Sequence, residues 1–283
     1  MLNEYLSSAL LGTLQGLTEF LPVSSSGHLI IANHALGLVS AHMHVFDVAI
    51  QFGSILAVVL LYWERFIGLI RPTADKKFSG LRGLYLLFLT SLPASLIGLF
   101  LHDYITRYLF NPVSVAAALA VGALFILAAE SIYARKLARR AERPQASVPA
   151  DGERRVSSLD EIGPGLALGI GCFQCLSLWP GFSRSTSTIM GGLLLGADRH
   201  TAAEYSFIAA VPILTAASAY SMLKGMSLLS SEDIPFFGIG FVMAFVSALV
   251  AIKVFIRLVS RFSFRPFAWY RLAIAPLIYL LWS

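Results

Sequence analysis

Charged residues are scarce in this sequence. Asp, Glu, Lys and Arg make up 13% of its 283 residues, whereas hydrophobic residues make up 57%. Soluble domains usually carry about a quarter charged residues, and several apolar runs here reach the roughly 20 residues that a helix needs to cross a bilayer. The composition therefore excludes an ordinary soluble domain and predicts a polytopic membrane protein.

Cysteine is also rare. Cys172 and Cys175 are the 2 cysteines of the chain, which excludes a disulfide framework and leaves no second pair to complete a zinc site. Their C-x-x-C spacing is compatible with a redox pair, but we favour two small residues that pack on one helix face. The first residues, Met1 to Glu4, lack the basic start of a signal peptide, so we expect no cleavable segment.

The net charge of +5 does not indicate nucleic acid binding, because the basic residues lie in loops between apolar runs. Loops rich in Lys and Arg stay on the cytoplasmic side of a membrane. The loops predicted on the opposite side of the membrane hold only Arg107 and Lys224 as basic residues. The predicted cytoplasmic residues are Arg65, Arg71, Lys76, Lys77 and Arg82 after the first span, Arg135, Lys136, Arg139, Arg140, Arg143, Arg154 and Arg155 in the middle of the chain, and Arg257, Arg261 and Arg265 before the last span.

Two Pro-Ser segments break the helical pattern. The first, residues 15–28, reads QGLTEFLPVSSSGH, with the break predicted at 22–27; the second, residues 174–188, reads QCLSLWPGFSRSTST. A helix, a break and a half-length helix predict a re-entrant hairpin, which a membrane tolerates where protein buries it or a cavity faces it. We place the two hairpins at about 5–37 and about 163–196.

The order of elements repeats along the chain. A hairpin and three spans make a first half at 1–130, a cytoplasmic linker covers 131–162, and a second hairpin with three spans fills 163–283. Because three crossings separate the halves, the predicted fold is an all-α inverted repeat with both termini outside and the hairpin tips meeting near the midplane. The predicted spans are about 45–64, 82–101, 112–130, 200–222, 236–256 and 266–282.

Each break leads into a new helix, whose first turn presents unpaired N–H groups and the positive end of the helix dipole. Such a helix start favours anions, and serine hydroxyls flank both starts. Arg184 adds a planar donor fork that suits phosphate oxygens, although a purely structural ion pair with Glu19 is the alternative. Polar groups this deep in apolar surroundings are usually functional. We therefore predict a phosphate-bearing substrate between the breaks.

Several side chains near the first break have chemical roles open to them. Glu19 is a candidate metal ligand or base, with a cap on the break as the alternative, and Gln15 can hydrogen-bond or ligate through its carbonyl. His28 can donate or accept a proton. Ser25 and Ser26 are candidate nucleophiles if His28 activates one of them, and direct attack by water remains the alternative.

At these residues the sequence resembles the undecaprenyl-diphosphate phosphatase family, also called the bacitracin-resistance family. The first hairpin is similar to its [Glu/Gln]-x-x-x-Glu motif, followed by Pro-Val-Ser-Ser-x-Gly-His. The second hairpin is similar to its Pro-Gly-x-Ser-Arg-Ser-x-x-Thr motif. Many members carry Glu at the position of Gln15, which leaves Glu19 as the single carboxylate here. The matching residues are Gln15 and Glu19 in the first motif and Pro180, Gly181, Ser183, Arg184, Ser185 and Thr188 in the last.

The resemblance implies a multi-pass enzyme of the bacterial inner membrane with its active site open to the periplasm. An enzyme of this family hydrolyses undecaprenyl diphosphate to undecaprenyl phosphate and inorganic phosphate. This reaction recycles the lipid carrier of cell-wall synthesis and confers bacitracin resistance. The implied cofactor is Mg²⁺ or Ca²⁺. The implied partners are a polyprenyl diphosphate and the bilayer, without nucleic acid and with a homodimer as one option. By resemblance, the catalytic residues are Glu19, Ser25, His28 and Arg184, the metal ligand is Glu19, and the phosphate-binding residues are Gln15, Ser24, Ser26, Gly27, Ser183, Ser185 and Thr188.

Two other functions fit parts of the pattern. An inverted repeat with paired hairpins is also typical of a transporter or a lipid flippase, because fold alone does not fix function. A different class of membrane lipid phosphatase carries a Pro-Ser-Gly-His segment and a later Ser-Arg-x5-His. The second part of that pattern fails here, since no histidine follows Arg184 until His200.

Overall fold

The computed structural model describes residues 4–38, 40–72, 76–141, 155–225 and 229–282. These residues form eleven α-helices, and none of the described residues belongs to a β-strand. The helices are α1 (Glu4–Thr18), α2 (Ser25–Ala35), α3 (Ala41–Leu61), α4 (Trp63–Ile70), α5 (Gly80–Tyr104), α6 (Pro112–Ala141), α7 (Pro164–Gln174), α8 (Arg184–Leu194), α9 (Arg199–Gly225), α10 (Ile234–Val259) and α11 (Arg265–Trp282).

Within these residues, five helices are long and apolar enough to cross a membrane: α3, α5, α6, α9 and α10. They confirm the all-α membrane class and five of the six predicted spans. The sixth predicted span, 266–282, coincides with α11, an 18-residue helix that carries Arg265 and Arg271 and is not among the five. Its crossing of the membrane, and the opposite orientation of the two halves, stay predictions.

Both predicted hairpins are helix–break–helix elements, but the first break ends earlier than expected. We placed its end at Gly27, whereas α2 begins at Ser25 because Ser24 caps it: the Ser24 hydroxyl accepts the N–H of Gly27. Ser183 caps α8 in the same way. Both serines have positive φ, 72° and 79°, a region that non-glycine residues rarely occupy and that tends to cluster at functional sites.

Helix packing follows one scheme in both halves. Helix α1 packs against α10, and its counterpart α7 packs against α5, which is the counterpart of α10. Likewise α2 contacts α11, and α8 contacts α6; α3 and α9 pack on each other, as do α6 and α11. These matched pairs support the internal repeat that the sequence predicts.

Small residues let the hairpins approach their partner helices closely. Gly12 of α1 lies against the backbone of Gly240, where a side-chain carbon would overlap a carbonyl oxygen. In the other half, a Cβ at Gly171 of α7 would lie 2.6 Å from the carbonyl oxygen of Thr90. Close backbone contact at glycine is common between helices in membranes, because the hydrophobic effect does not drive helices together in lipid. These contacts set how closely each hairpin approaches its partner helix.

The predicted linker at 131–162 is partly described. Helix α6 continues through Ala141, so its first part is helical, and the middle lies outside the described residues. At the other end, Val156 pairs with the backbone of Gly196 and Asp198. This pairing docks the end of the linker on the second hairpin.

A candidate active site at two helix breaks

A cavity of about 270 Å³ lies between the two breaks. Its wall brings together six of the residues predicted for the site. It also contains polar residues that the sequence did not single out, notably Gln51 and Ser177. The lining residues are Glu19, Ser24, Ser25, Ser26, Gln51, Ala94, Ser177, Leu178, Pro180, Gly181, Ser183, Arg184, Ile213, Leu214 and Ala217.

Glu19 is the residue at which both hairpins meet. Its side chain is buried; one oxygen accepts hydrogen bonds from Gln15 Nε2 at 2.9 Å and Ser25 Oγ at 2.7 Å. The other oxygen lies 3.4 Å from Nη2 of Arg184. A serine hydroxyl that donates to a carboxylate has the geometry of a nucleophile beside its general base. Gln15 itself stands behind Glu19 and does not line the cavity.

Arg184 opens α8 and reaches from the second hairpin to the first. Its Nη1 donates to the carbonyl and the hydroxyl of Ser206, at 3.1 and 3.2 Å, and its guanidinium stacks over Phe20. Its Nε is buried without a hydrogen-bond partner among the described residues. Buried polar groups are normally paired, so the ion pair with Glu19 accounts for only part of this guanidinium. Nε remains a donor for which the described residues supply no acceptor.

The hydroxyls of the second break mostly hold the scaffold. Ser185 donates to the carbonyl of Leu21 at 2.8 Å, which ties the second break directly to the first. Thr188 bonds to the Arg184 carbonyl and to the Ser206 hydroxyl. Ser185 and Thr188 therefore lie behind the cavity wall, whereas Ser183 lines it.

His28 lies behind the first break rather than in the cavity. Its Nδ1 is 2.7 Å from the carbonyl oxygen of Ser24, and its Nε2 is 2.6 Å from the hydroxyl of Tyr270. A carbonyl only accepts, so Nδ1 carries the proton, and in the neutral ring Nε2 accepts from Tyr270. Neither nitrogen contacts Ser25. Ser25, one of the two serines that His28 could activate according to the sequence analysis, donates its hydroxyl to Glu19.

Arg271 is the main residue that the sequence analysis missed. It is fully buried, and among the described residues no carboxylate pairs with it. Its guanidinium donates to carbonyls of both breaks, Pro22 at 3.4 Å and Gly181 at 3.1 Å, and to the hydroxyl of Thr186 at 2.8 Å. A side-chain carbon at Gly122 would overlap it. The sequence signal that could have identified Arg271 is a charged residue in the middle of an apolar run.

The side chains of the cavity wall supply only some of the ligands that a divalent cation needs. No group of three or more His, Cys, Asp or Glu side chains that could hold a metal occurs in the described parts of the chain. Glu19 is the carboxylate of the cavity wall, and serine hydroxyls surround it. Mg²⁺ is typically held by one or two protein carboxylates together with substrate phosphates and water. The cavity therefore fits an ion that a phosphate substrate helps to bind.

Fold and site together define a class: a helical membrane protein in which two helix–break–helix hairpins enclose a cavity lined by serine hydroxyls, Glu19 and Arg184. The family model of bacitracin resistance protein BacA matches residues 8–277, and the chain belongs to this family. It is 58% identical to an undecaprenyl-diphosphatase of Nitratidesulfovibrio vulgaris over 98% of both chains. It is 55% identical to that of Maridesulfovibrio salexigens over 100% of both chains, and 51% identical to that of Lawsonia intracellularis over 99%. The family predicted from the two motifs is confirmed.

Proposed function

We propose that this protein hydrolyses undecaprenyl diphosphate to undecaprenyl phosphate and inorganic phosphate. The observation that carries the proposal is the hydrogen bond of 2.7 Å from the Ser25 hydroxyl to Glu19, in a cavity that Arg184 also lines. Relatives at 51–58% identity are named undecaprenyl-diphosphatase. A transporter needs an anion site, but it has no use for a hydroxyl beside a proton acceptor.

The proposed first step is attack by Ser25 on the terminal phosphorus. The Ser25 Oγ–P bond forms, the P–O bond to the bridging oxygen breaks, and undecaprenyl phosphate leaves. Glu19 takes the hydroxyl proton. Water then attacks the phosphorus of the phosphoserine, the P–O bond to Ser25 breaks, and Glu19 returns its proton to the Ser25 oxygen. The oxygen and both protons of the water leave with inorganic phosphate. In both steps a proton passes between Ser25 and Glu19, which are already hydrogen-bonded.

The other groups stabilise the negative charge of the substrate. In this proposal, Arg184 and the positive ends of the α2 and α8 dipoles lie toward the phosphate oxygens, which is the arrangement that favours an anionic transition state. A divalent cation, Mg²⁺ or Ca²⁺, would be held by Glu19 and neighbouring hydroxyls together with the substrate, and would neutralise further charge. Tyr270 and Ser24 keep His28 in one orientation behind the first break.

We further propose the bacterial inner membrane as the location, with the cavity open to the periplasm. The concentration of Lys and Arg at 65–82, 135–155 and 257–265, in helix ends and the segments between them, supports this orientation. Turnover on that side would recycle the lipid carrier of cell-wall synthesis and confer bacitracin resistance.

Purified protein tests the proposed activity. We expect phosphate release from undecaprenyl diphosphate in detergent, loss of release with a chelator of divalent cations, and recovery on adding Mg²⁺ or Ca²⁺. A sample that binds the lipid without releasing phosphate would favour a transporter or flippase. Release that is unchanged by chelator would remove the cation from the proposal and leave the hydrolysis in place.

A further inference from the structure

Three basic side chains form a row at the C-terminal end of α10. Lys253, Arg257 and Arg261 follow one another at intervals of four residues, and all three are exposed. Residues four apart lie on the same face of a helix. The row continues past Val259, the last residue of α10, because the N–H of Arg261 still bonds to the carbonyl of Leu258.

The basic row has no counter-charge within the described residues. None of its three side chains pairs with a carboxylate there, whereas Arg65 and Arg199 each do. Like charges four residues apart repel one another. The helix dipole stabilises a cation in the last turn, which accounts for Arg257 but not for Lys253, more than one turn before the helix ends. An anion from outside the chain would relieve this repulsion.

Lys253 also lies inside the apolar segment Ser231–Val259, which is long enough to cross a membrane. A charged residue within such a segment is costly and usually marks a functional site. Its long side chain can extend along the helix and bring the ammonium group to the edge of the bilayer. Trp63, which is exposed at the start of α4, is the kind of residue that lies at this edge.

Two adjoining clefts lie along the basic row, and Arg257 lines both of them. Neither cleft shares a lining residue with the cavity at the two breaks. The first, of about 420 Å³, is lined by Arg257, Leu258, Ser260, Arg261 and Phe262. The second, of about 280 Å³, is lined by Leu61, Tyr62, Ile252, Lys253, Ile256 and Arg257.

An apolar row runs beside the basic row. Val254, Leu258 and Phe262 each follow one of the basic residues by one position, and they are 46%, 41% and 60% exposed. Val250, one turn earlier, is exposed as well, so the apolar row extends further into the apolar segment than the basic row does. A molecule with an anionic group at one end and an apolar chain at the other fits both rows.

We propose that this face of α10 binds an anionic phospholipid of the surrounding bilayer. The phosphate lies against Arg257 and Arg261, whose guanidinium forks match phosphate oxygens, and Lys253 adds a third positive charge. An acyl chain lies along Val254 and Val250. Basic pockets between membrane helices bind anionic lipid headgroups on the cytoplasmic side, where the loop charges place this end of α10. The site does not rest on the proposed hydrolysis.

Native mass spectrometry of the full chain in detergent tests the site. It measures the dissociation constants for phosphatidylglycerol and for phosphatidylcholine, which has no net charge. The test variant is Arg257→Gln/Arg261→Gln. The matched control, Arg135→Gln/Arg139→Gln, removes two exposed arginines at the same spacing from the end of α6, outside both clefts.

We expect the wild-type protein to bind phosphatidylglycerol more tightly than phosphatidylcholine. The test variant should weaken phosphatidylglycerol binding about tenfold or more, and the control should stay within about twofold of wild type. Equal affinity of the wild type for both lipids, equal losses in the two variants, or an unchanged test variant would overturn the site. Undecaprenyl phosphate that displaces phosphatidylglycerol at lower concentration would overturn a phospholipid as the occupant.

Photocrosslinking tests the same site without charge substitutions. With p-benzoylphenylalanine in place of Phe262, in vesicles of phosphatidylglycerol and phosphatidylcholine, we expect crosslinks mainly to phosphatidylglycerol. The control position is Phe100, an exposed residue of α5, where crosslinks should follow the abundance of the two lipids. Crosslinks at Phe262 that also follow abundance would mean that ordinary bilayer lipid covers this face, and would overturn the proposal.

Discussion

At the scale of single residues, Glu19 connects the two hairpins. It receives Ser25 and Gln15 from its own hairpin and Arg184 from the other, and it is buried while doing so. Because Ser25 donates directly to this buried carboxylate, we propose that Glu19 and Ser25 act as one unit. The roles of Arg184 and Ser25 can be tested one by one.

Arg184→Lys should lower the rate of phosphate release about a hundredfold, because losing a charge-assisted donor pair to a phosphoryl transition state costs on the order of 3 kcal/mol. Lysine keeps a charge but offers a point donor on a flexible stem. The assay is steady-state release at saturating farnesyl diphosphate. A well-folded mutant within about threefold of wild type would make Arg184 structural, through its contacts with Glu19 and Ser206.

Ser25→Ala should lose activity far more than Ser26→Ala. Both serines line the cavity, but Ser25 donates to Glu19, whereas Ser26 is exposed and belongs to no such pair among the described residues. We expect a loss of about a hundredfold or more for Ser25→Ala and less than about tenfold for Ser26→Ala, by comparison with nucleophile deletions generally. Equal losses in the two variants would point to water as the nucleophile.

At the scale of elements, Arg271 of α11 holds the two breaks together through Pro22 and Gly181. Gly122→Ala should displace this guanidinium and lower kcat more than it changes KM, since the two breaks shift relative to each other. Gly238→Ala, which has open space around it, is the control and should leave both constants unchanged. Wild-type kinetics in Gly122→Ala would show that Arg271 does not position the breaks.

The hairpins could be predicted from the sequence because their causes are local. Proline and consecutive serines interrupt each helix, and the polar residues there stand out from apolar surroundings. The start of α2 was misplaced because the cap on it depends on the positive φ of Ser24, which the sequence does not display. Capped helix starts are therefore the least certain part of such a prediction.

Contacts between distant segments could not be predicted. His28 is held by Tyr270, and Arg271 is held by backbone carbonyls from α6 and both breaks. Backbone acceptors leave no trace in the pattern of side chains. For the same reason, the sequence analysis predicted α11 only as a membrane span, although its Tyr270 and Arg271 support the site from behind.

At the scale of the whole molecule, the predicted orientation follows from loop charges. In a protein with Cys172 and Cys175 replaced by serine, Ser40→Cys should react with an impermeant thiol reagent in intact cells, and Ser157→Cys should not. Both positions are exposed, so access to the reagent depends on the side of the membrane. The reverse pattern of labelling would contradict the proposed opening to the periplasm.

The central claim is that Glu19 and Ser25 perform one reaction at the meeting point of the two hairpins. A double-mutant cycle of Glu19→Gln and Ser25→Ala, measured as phosphate release by well-folded protein, tests it most directly. The effects of mutating residues that act as a unit are strongly non-additive. We therefore predict that each single mutation lowers the rate of phosphate release about a hundredfold or more. The rate of the double mutant should lie within about threefold of that of the less active single mutant. Losses that multiply, or a Glu19→Gln protein that keeps most of its turnover, would contradict the account.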